Sequence, residues 1–536
     1  MSIQKRLRFK VEGWLSPEEF RELLEFSDYI GRYAGSSIFE VNLSKMKKSG
    51  YTLRDIYVKL SSLKGVDEGD LEAIKIAYLE ESTVEIWLGS DGFLRVSSRA
   101  YLKDVFLEMG VGLHYVSEEK AYKAPAHLYY SIVSFLKSKG FNVVDNIKLL
   151  DLKLPRSIIF NGSLRSYQEE ALNTWIDNNY RGVIALPTGA GKTIVAISGI
   201  AKLNTPTLIV VYTKDHIKQW IDAFKKFSDA VSLVGAYYSD EKKLAPITIT
   251  TYQTAYRKLE VFALRYPLIV FDEAHHLPAE KFKHIAFNIP APYRLALSAT
   301  PEREDGRHVE IFPLIGGVIY HKTASELADQ GFLAPFIIRR VSVNMTIEEM
   351  KKYEELKRRF QILARNRKFS ELVEEAKRGD KSAIEALKIH ADIRDLIQYS
   401  EAKLKAVVDL IKKELEKGSK IIVFTQFREQ AEEIARRVNA LLLHGELSVR
   451  ERDETLRRFR TAKTGVLVVT TVGDEGLDIP DVNIGIFVSG TGSRRQFIQR
   501  LGRLLRPAPG KKAVLYEVVV RGTSEEYQSK RRKELI

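Results

Sequence analysis

Short apolar runs, each bounded by turn residues, recur in two separate series along the chain. The first series occupies residues 183–297 and the second occupies residues 421–516. Runs of this length are typical of buried strands, and the amphipathic stretch at 215–227 has the spacing of a crossover helix. Alternating units of this kind build a parallel sheet that is covered on both faces. The sequence therefore predicts the α/β class, with two parallel-sheet domains. The predicted strands are 183–186, 208–211, 247–250, 268–271 and 295–297 in the first series, and 421–424, 440–443, 466–469, 484–488 and 514–516 in the second.

The segment between the two series has a different composition. Residues 348–417 contain no proline and few glycines but many Glu, Lys, Leu and Ala residues. This composition is typical of helices with charged outer faces. We therefore expect a small helical insertion before the second sheet.

The first 150 residues carry local structural signals but no catalytic pattern. Ser16 precedes Pro17 and stands three residues before Glu19, which predicts a capped helix start. Apolar runs at 84–88 and 93–96 flank a Ser-Asp-Gly turn and predict a hairpin. We expect a mixed α/β region here.

Basic residues exceed acidic residues, with 84 Lys and Arg against 70 Asp and Glu, and the formal net charge is +14. The excess is concentrated at the end of the chain, because residues 494–536 contain twelve basic and four acidic residues. A basic surface attracts phosphate, so we expect an anionic partner. A solvated basic tail has the same composition and is the alternative.

The chain has no cysteine. This excludes disulfides, thiolate zinc sites, cysteine nucleophiles and cysteine-ligated iron–sulfur clusters. No apolar run approaches about 18 residues, and the basic N-terminus leads into no apolar signal core of about 7 to 15 residues. We expect a cytoplasmic protein that does not associate with a membrane.

A glycine-rich segment follows the first predicted strand. Glycines at this place can turn backbone N–H groups toward phosphate at a helix N-terminus. Lys192 would reach the β- and γ-phosphates, and Thr193 would coordinate Mg²⁺. The strict pattern has glycine where this chain has Leu186, and a structural glycine turn is the alternative. The segment consists of Pro187, Thr188, Gly189, Ala190, Gly191, Lys192 and Thr193.

An acidic pair, Asp272 and Glu273, directly follows the predicted strand 268–271. We expect the phosphate loop of a neighbouring strand beside it, at the carboxyl end of the sheet. Asp272 can hold Mg²⁺ while Glu273 orients and deprotonates a water molecule for attack on the γ-phosphate. The alternatives are an acidic turn, or a metal site on His275 and His276.

A basic helical segment lies at 499–506, with Arg503 and Arg506 on one helical face. Phosphoryl transfer needs a cation that stabilises charge on the γ-phosphate oxygens. The two arginines are therefore candidate arginine fingers from the second α/β domain. A basic helix that binds nucleic acid is the alternative.

Five motifs occur in the order found in superfamily 2 helicases, and the chain resembles that superfamily over about residues 160–525. Within it, Arg303, Glu304 and Asp305 resemble the RED motif of XPB-type DNA repair helicases, and residues 488–507 resemble that family's last motor block. The match is close to archaeal members. The five motifs are PTGAGKT at 187–193, DEAH at 272–275, SAT at 298–300, GDEGLD at 473–478 and QRLGRLLR at 499–506.

This resemblance implies two RecA-like motor domains with additional modules. Residues 1–81 extend beyond the compact archaeal pattern and have no assigned role. The implied domains are a small α/β domain like a damage-recognition domain at 82–150, a first motor domain at 155–340, a helical thumb at 345–398 and a second motor domain at 401–536.

The resemblance also implies roles for single residues. Gln168, near Arg165, would read the adenine edge with its planar amide. Gly476, Asp478 and Gln499 would complete the ATP site from the second motor domain, together with the two arginines. Ser298 and Thr300 would couple the ATP site to movement. Arg303, Glu304 and Asp305 would act at the duplex junction, with 3′-to-5′ polarity; an interdomain ion pair is the alternative for them.

DNA-contacting positions carried over by motif lie mainly where predicted strands end. Hydroxyls and backbone groups at such places suit phosphate contacts, which position a strand without reading its sequence. Each position taken alone is also compatible with an ordinary strand-end residue. The positions are Thr213, Lys214, Thr251, Tyr252, Thr425, Gln426, Phe427, Thr470 and Thr471.

We therefore predict an ATP-dependent and Mg²⁺-dependent DNA helicase or translocase that acts in DNA repair on a fork, a bubble or a damaged duplex. The alternatives are a double-stranded DNA translocase that does not separate strands, and an ATP-gated DNA-binding clamp. The resemblance implies a nuclease partner for archaeal relatives and a large transcription and repair complex for eukaryotic ones. No iron–sulfur cluster is expected.

Overall fold

A computed structural model describes residues 7–100, 102–300, 308–470, 482–488 and 513–533. The chain divides into two compact units. One consists of residues 1–151 with 287–292, and the other consists of residues 152–286 with 293–536.

The first part of the smaller unit is a three-stranded antiparallel sheet in the order β1-β3-β2 with helices packed on it. Its core includes Phe9, Phe26 and Phe39. The predicted helix start is confirmed, because Ser16 caps the first helix and forms a capping box with Glu19. The elements are β1 (Arg8–Glu12), α1 (Pro17–Leu24), β2 (Ser27–Tyr33), β3 (Ser36–Val41), α2 (Leu43–Lys48), α3 (Leu53–Ser62) and α4 (Glu68–Ser82).

The second part of the smaller unit is a five-stranded mixed sheet in the order β6-β7-β5-β4-β8. The predicted hairpin is confirmed as the antiparallel pair β4 and β5. Arg95, whose side chain is buried, pairs with Asp91 of the turn over 3.0 Å and also with Glu119. These ion pairs link the turn between β4 and β5 to the turn between β6 and β7, which contains Glu119. The elements are β4 (Thr83–Leu88), β5 (Leu94–Ser98), α5 (Lys103–Glu108), β6 (His114–Val116), β7 (Ala121–Ala124), α6 (Tyr129–Ser138) and β8 (Asn142–Asp145).

The larger unit begins with a seven-stranded parallel sheet in the order β11-β12-β10-β13-β14-β9-β15. All five strands predicted for the first series are confirmed. The two strands at the sheet edges, β11 and β15, were not predicted. The strands are β9 (Arg181–Ala185), β10 (Thr207–Val211), β11 (Val234–Tyr237), β12 (Ile247–Thr251), β13 (Leu268–Phe271), β14 (Tyr293–Ser298) and β15 (Val318–His321).

Eight α-helices accompany these strands in the described residues. The predicted crossover helix is confirmed as α9, whose apolar face buries Ile217, Trp220 and Phe224. The helices are α7 (Ser166–Asp177), α8 (Lys192–Leu203), α9 (Lys214–Phe227), α10 (Tyr252–Arg257), α11 (Leu259–Phe262), α12 (Glu280–Asn288), α13 (His308–Ile315) and α14 (Ala324–Asp329).

A second parallel sheet has six strands in the order β16-β21-β20-β17-β19-β18, and it confirms the five strands of the second series. Strand β16 was not predicted, and it pairs with β21 from Phe336 to Val343. The expected first motor domain, 155–340, therefore includes the start of a strand that belongs to the second sheet. The strands are β16 (Phe336–Val343), β17 (Lys420–Thr425), β18 (Leu441–Leu443), β19 (Gly465–Thr470), β20 (Ile484–Phe487) and β21 (Ala513–Val520).

Three helices directly follow β16 in the chain, as the composition of this segment predicts. Leu372, Ala383 and Ala386 are fully buried between them, and Arg367 donates to Ser382 Oγ over 3.0 Å. That they form a thumb stays a prediction. The helices are α15 (Ile347–Ala364), α16 (Phe369–Lys377) and α17 (Lys381–Gln398).

Four more helices in the described residues accompany the second sheet. Lys403 on α18 and Glu525 on the last helix form an ion pair of 2.7 Å, and both side chains are buried. This pair ties the last described helix to α18. The helices are α18 (Glu401–Glu416), α19 (Arg428–Val438), α20 (Val449–Thr461) and α21 (Ser524–Lys533). In the described part of the chain, no helix has both the length and the apolarity needed to cross a membrane.

Candidate active site

The glycine-rich segment forms the turn between β9 and α8. Gly189 has φ +87° and Gly191 has φ +80°, a backbone region that favours glycine. A side chain at Gly191 would also collide with the amide of Gln168. The turn therefore requires glycine for its shape, as a loop that presents backbone N–H groups to phosphate does.

Lys192 is the first residue of α8, and its side chain is buried. Its Nζ donates to the carbonyl oxygen of Leu186 over 3.0 Å. Leu186 itself is fully buried directly after β9, so the leucine that departs from the strict pattern packs in the core and leaves the turn intact. Thr188 Oγ1 is buried and has no hydrogen-bond partner within the described residues. A buried cation and an unpaired hydroxyl in the same loop fit a bound phosphate.

Gln168 lies against this loop. Its Oε1 accepts from the backbone N–H of Arg165 over 2.9 Å, and its Nε2 donates to the carbonyl of Ala190 over 2.8 Å. Tyr167 donates to the same carbonyl over 2.7 Å. Helix α7 therefore supports the phosphate loop directly, and adenine recognition by Gln168 stays a prediction. Sequence reasoning gave no role to Tyr167.

The acidic pair follows β13 at the carboxyl end of the sheet. Asp272 Oδ2 accepts a hydrogen bond of 2.8 Å from Trp220 Nε1, and Asp272 Oδ1 accepts one of 2.9 Å from the backbone of Glu273. Glu273 has a left-handed backbone, with φ +48°. Its carboxylate lies 3.2 Å from His275 Nδ1. The strained backbone and the histidine together fix the direction of the Glu273 side chain.

The two carboxylates have different electrostatic surroundings. Burial and the charge of Glu273 raise the pKa of Asp272. Burial also acts against the charged form of Glu273, but its close contact with His275 and the charges of His275 and Lys192 outweigh burial and lower its pKa. Glu273 is therefore ionised near neutral pH and can accept a proton.

Oxygen donors of the kind that Mg²⁺ prefers are present in Asp272 and Thr193. The described residues contain no group of three or more His, Cys, Asp or Glu side chains that could hold a metal ion. This donor set fits a Mg²⁺ ion that takes further ligands from phosphate and water. The alternative of a histidine metal site is not supported, because His275 contacts Glu273 and His276 stacks on Tyr212 with ring centroids 3.6 Å apart.

Strand β14 lies between the strands that carry the phosphate loop and the acidic pair. The expectation that these two strands are direct neighbours is therefore wrong, because β14 pairs with β13 on one side and with β9 on the other. Ser298 is at the end of β14, and its carbonyl accepts from the backbone N–H of Leu186 over 3.0 Å. Its hydroxyl donates to the carbonyl of Thr300 over 2.7 Å. Ser298 thus contacts the start of the phosphate loop.

The expected DNA-contacting positions of the first sheet lie at or just after the ends of the neighbouring strands β10 and β12. Thr213 caps α9, and Lys214 forms an ion pair of 2.7 Å with Asp240. Thr251 caps α10. The side chain of Tyr252 is fully buried, and its hydroxyl donates to the carbonyl of Asp272 over 3.0 Å. Any contact of Tyr252 with DNA would therefore be through its backbone.

In the second sheet, Thr425 and Thr470 pair side by side at the ends of β17 and β19. Gln426 follows Thr425, and Phe427 is the N-cap residue of α19. Nine expected site residues lie outside the described residues, and their roles stay predictions. They are Arg303, Glu304, Asp305, Thr471, Gly476, Asp478, Gln499, Arg503 and Arg506.

Sequence reasoning also missed Trp220. It stands on the apolar face of an amphipathic helix, where a tryptophan is read as a core residue. Only its indole N–H, which needs a partner when the ring is buried, hinted at a polar contact.

Two family models match the chain. Residues 161–303 match the res subunit of type III restriction enzymes, and residues 402–508 match the helicase conserved C-terminal domain. The first match contains the phosphate loop and the acidic pair, and the second covers much of the second sheet.

Curated relatives extend over most of the chain. A protein of Sulfurisphaera tokodaii named DNA 3′-5′ translocase XPB2 is 37% identical over 452 residues, which are 82% of this chain and 100% of that protein. The DNA 3′-5′ helicase XPB of Kineococcus radiotolerans is 34% identical, over 68% of this chain and 61% of that protein. An Enterocytozoon bieneusi protein named general transcription and DNA repair factor IIH helicase/translocase subunit XPB is 27% identical, over 78% of this chain and 68% of that protein.

Proposed function

This chain belongs to the XPB family of DNA helicases and translocases, and we propose that it hydrolyses ATP to move along DNA and open it during repair. The arrangement that carries this proposal is the phosphate loop with Lys192, beside a strand-end carboxylate pair in which Asp272 and Glu273 are held by separate partners. The names of the relatives support DNA as the substrate and repair as the setting.

The candidate site residues of the first motor domain have distinct roles in this proposal. Lys192 and the backbone N–H groups of 188–192 bind the phosphates of ATP. Asp272 and Thr193 hold Mg²⁺, which neutralises phosphate charge when it is bound. Glu273, directed by His275 and ionised near neutral pH, accepts the proton of the attacking water on a carboxylate oxygen.

The second motor domain completes the site in this proposal. Gly476, Asp478, Gln499, Arg503 and Arg506 would supply contacts to ATP from that side. The strand ends at Thr213 and Thr251 and those at Thr425 and Thr470 would hold the DNA backbone on the two sheets, and ATP-driven closure would alternate the two grips.

We further propose that the protein is cytoplasmic and acts on a fork, a bubble or a damaged duplex. Arg303, Glu304 and Asp305 would act at the duplex junction. A nuclease partner belongs to this proposal, since none of the recognised motifs is that of a nuclease. Movement on duplex DNA without strand separation is the second candidate, because the Sulfurisphaera relative is named a translocase.

A single assay tests the proposal. Steady-state ATP hydrolysis is measured without nucleic acid and with single-stranded DNA, plain duplex or forked duplex, while displacement of a labelled strand is recorded in the same tube. We expect turnover that the fork stimulates, together with displacement. Duplex-stimulated turnover without displacement would favour the second candidate. Turnover that no DNA stimulates would contradict both.

A further inference from the structure

Asp272 is held by residues from one strand and two helices of the first sheet domain. Its backbone N–H donates to the carbonyl of Val210 on β10 over 2.9 Å. Its Oδ2 accepts from Trp220 Nε1 on α9 over 2.8 Å, and its carbonyl accepts from Tyr252 Oη on α10 over 3.0 Å. One residue thus receives side-chain hydrogen bonds from two helices that are far from it in sequence.

Both helices begin at strand ends where we expect DNA contacts. Helix α9 follows β10, and Trp220 lies seven residues after its cap, Thr213. At about 1.5 Å of rise per residue, this separation is roughly 10 Å along the helix. Helix α10 follows β12, and Tyr252 comes directly after its cap, Thr251. Strands β10 and β12 are adjacent in the sheet.

This geometry connects the expected DNA contacts at the ends of β10 and β12 to Asp272, the expected Mg²⁺ ligand, through one helix on each side. A helix moves as a rigid body, so a displacement at Thr213 reaches Trp220 with little loss. A hydrogen bond to one carboxylate oxygen fixes the rotation of the carboxylate, and with it the direction of the lone pairs that remain for a metal. A shift of α9 or α10 therefore changes how Asp272 is presented.

We propose that Trp220 and Tyr252 are positioning residues that link DNA held at the ends of β10 and β12 to the orientation of Asp272. This inference rests on the proposed function, because it takes Asp272 to be a Mg²⁺ ligand and the strand ends to be a DNA grip. Neither side chain contacts ATP or DNA in this arrangement. Both act through Asp272.

Two buried aromatic residues away from the site serve as controls for a purely structural role of Trp220 and Tyr252. Buried indole and phenol groups need hydrogen-bond partners wherever they are, and two other residues of the same sheet domain satisfy this need away from the site. Trp175 Nε1 donates to the carbonyl of Arg294 over 3.0 Å, and Tyr266 Oη donates to Thr248 Oγ1 over 2.6 Å. Changing these two residues removes equivalent bonds without touching Asp272.

The test compares Trp220→Phe, Tyr252→Phe and the double variant with Trp175→Phe and Tyr266→Phe, all in the full chain. The dissociation constant of a fluorescent single-stranded DNA is measured with and without a non-hydrolysable ATP analogue and Mg²⁺. The converse measurement determines the dissociation constant of a fluorescent ATP analogue with and without DNA. Because linkage is reciprocal, both ratios report the same coupling factor.

We expect a coupling factor of about 5 to 150 in the unmodified chain. We expect each single variant to lower it by at least about threefold and the double variant to bring it near one, while both control variants keep the unmodified value. The Mg²⁺ concentration that half-saturates binding of the ATP analogue should rise in Trp220→Phe and not in Trp175→Phe.

Retention of the coupling factor in the double variant would overturn the inference, as would an equal loss in the control variants. DNA-stimulated ATP hydrolysis of the unmodified chain separates this outcome from failure of the proposed function. If that stimulation and the coupling are both absent, the proposed function fails and the inference fails with it. If one single variant does not fold, judged by its thermal unfolding, the other single variant carries the test.

Discussion

The side-chain ammonium of Lys192 donates a hydrogen bond to the backbone carbonyl of Leu186, 3.0 Å away, at the two ends of the same glycine-rich turn. The cation is therefore held inside the loop that is expected to receive phosphate. Because the side chain is buried, its charge acts in surroundings where electrostatic interactions are stronger than in water.

Replacing Lys192 with alanine should reduce the rate of ATP hydrolysis by at least about 100-fold, since the variant loses the cation that stabilises phosphate charge. The measurement is DNA-stimulated steady-state turnover. Lys202→Ala is the matched control, because Lys202 is an exposed lysine in the last turn of the same helix. Normal turnover in the Lys192 variant would contradict the site assignment.

Glu273→Gln should keep ATP binding but lower turnover by about 100-fold to 10,000-fold, because glutamine cannot accept the proton of the attacking water. Bound, unhydrolysed ATP is measured after rapid separation of protein from free nucleotide. Glu260→Gln, at an exposed glutamate on α11 in the same sheet domain, should hydrolyse ATP like the unmodified chain. If the Glu273 variant turns over normally, another group acts as the base.

Arg303→Ala should retain DNA-stimulated ATP hydrolysis and lose strand displacement, as the RED resemblance implies. Both quantities are measured on one forked substrate, so that a general loss of DNA binding would lower them together. Unchanged displacement would show that the triplet of Arg303, Glu304 and Asp305 is structural.

Lys403→Met should lower the free energy of unfolding by about 3 to 5 kcal/mol, because it leaves the buried carboxylate of Glu525 without its cation. Scanning calorimetry of the full chain measures the change. The control is Lys225→Met, which breaks an exposed pair with Asp222 and should cost at most about 1 kcal/mol. Equal shifts in the two variants would show that the buried pair adds nothing beyond a surface ion pair.

Most of the two large sheets could be predicted because their central strands are buried on both faces. Ten apolar runs predicted ten strands, and each occurs in the structure. Strands β11 and β15, at the two edges of the first sheet, were missed because Gly235 interrupts the apolar run of β11 and no residue of β15 is buried. Strand β16, the other unpredicted strand, lies at the edge of the second sheet and has partly exposed residues along its length.

The candidate site was likewise only partly predictable from the sequence. The glycine-rich turn and the acidic pair are local patterns, and residues 187–193 and 272–273 were predicted as site residues from the sequence. The sequence did not predict that β14 lies between the two strands that carry these patterns. It also did not predict that the side chain of Tyr252 is buried. A hydroxyl-bearing residue at a strand end has the same sequence signature whether its side chain faces solvent or the core.

The sequence by itself determined most strands of the two large sheets and which residues are candidates to bind phosphate, hold Mg²⁺ or accept a proton, because these properties follow from local periodicity and side-chain chemistry. Only the tertiary structure decided that Trp220 and Asp272, 52 residues apart, meet over 2.8 Å. Such a contact depends on strand order, helix rotation and packing together. Those are properties of the assembled sheet, and no single stretch of residues encodes them.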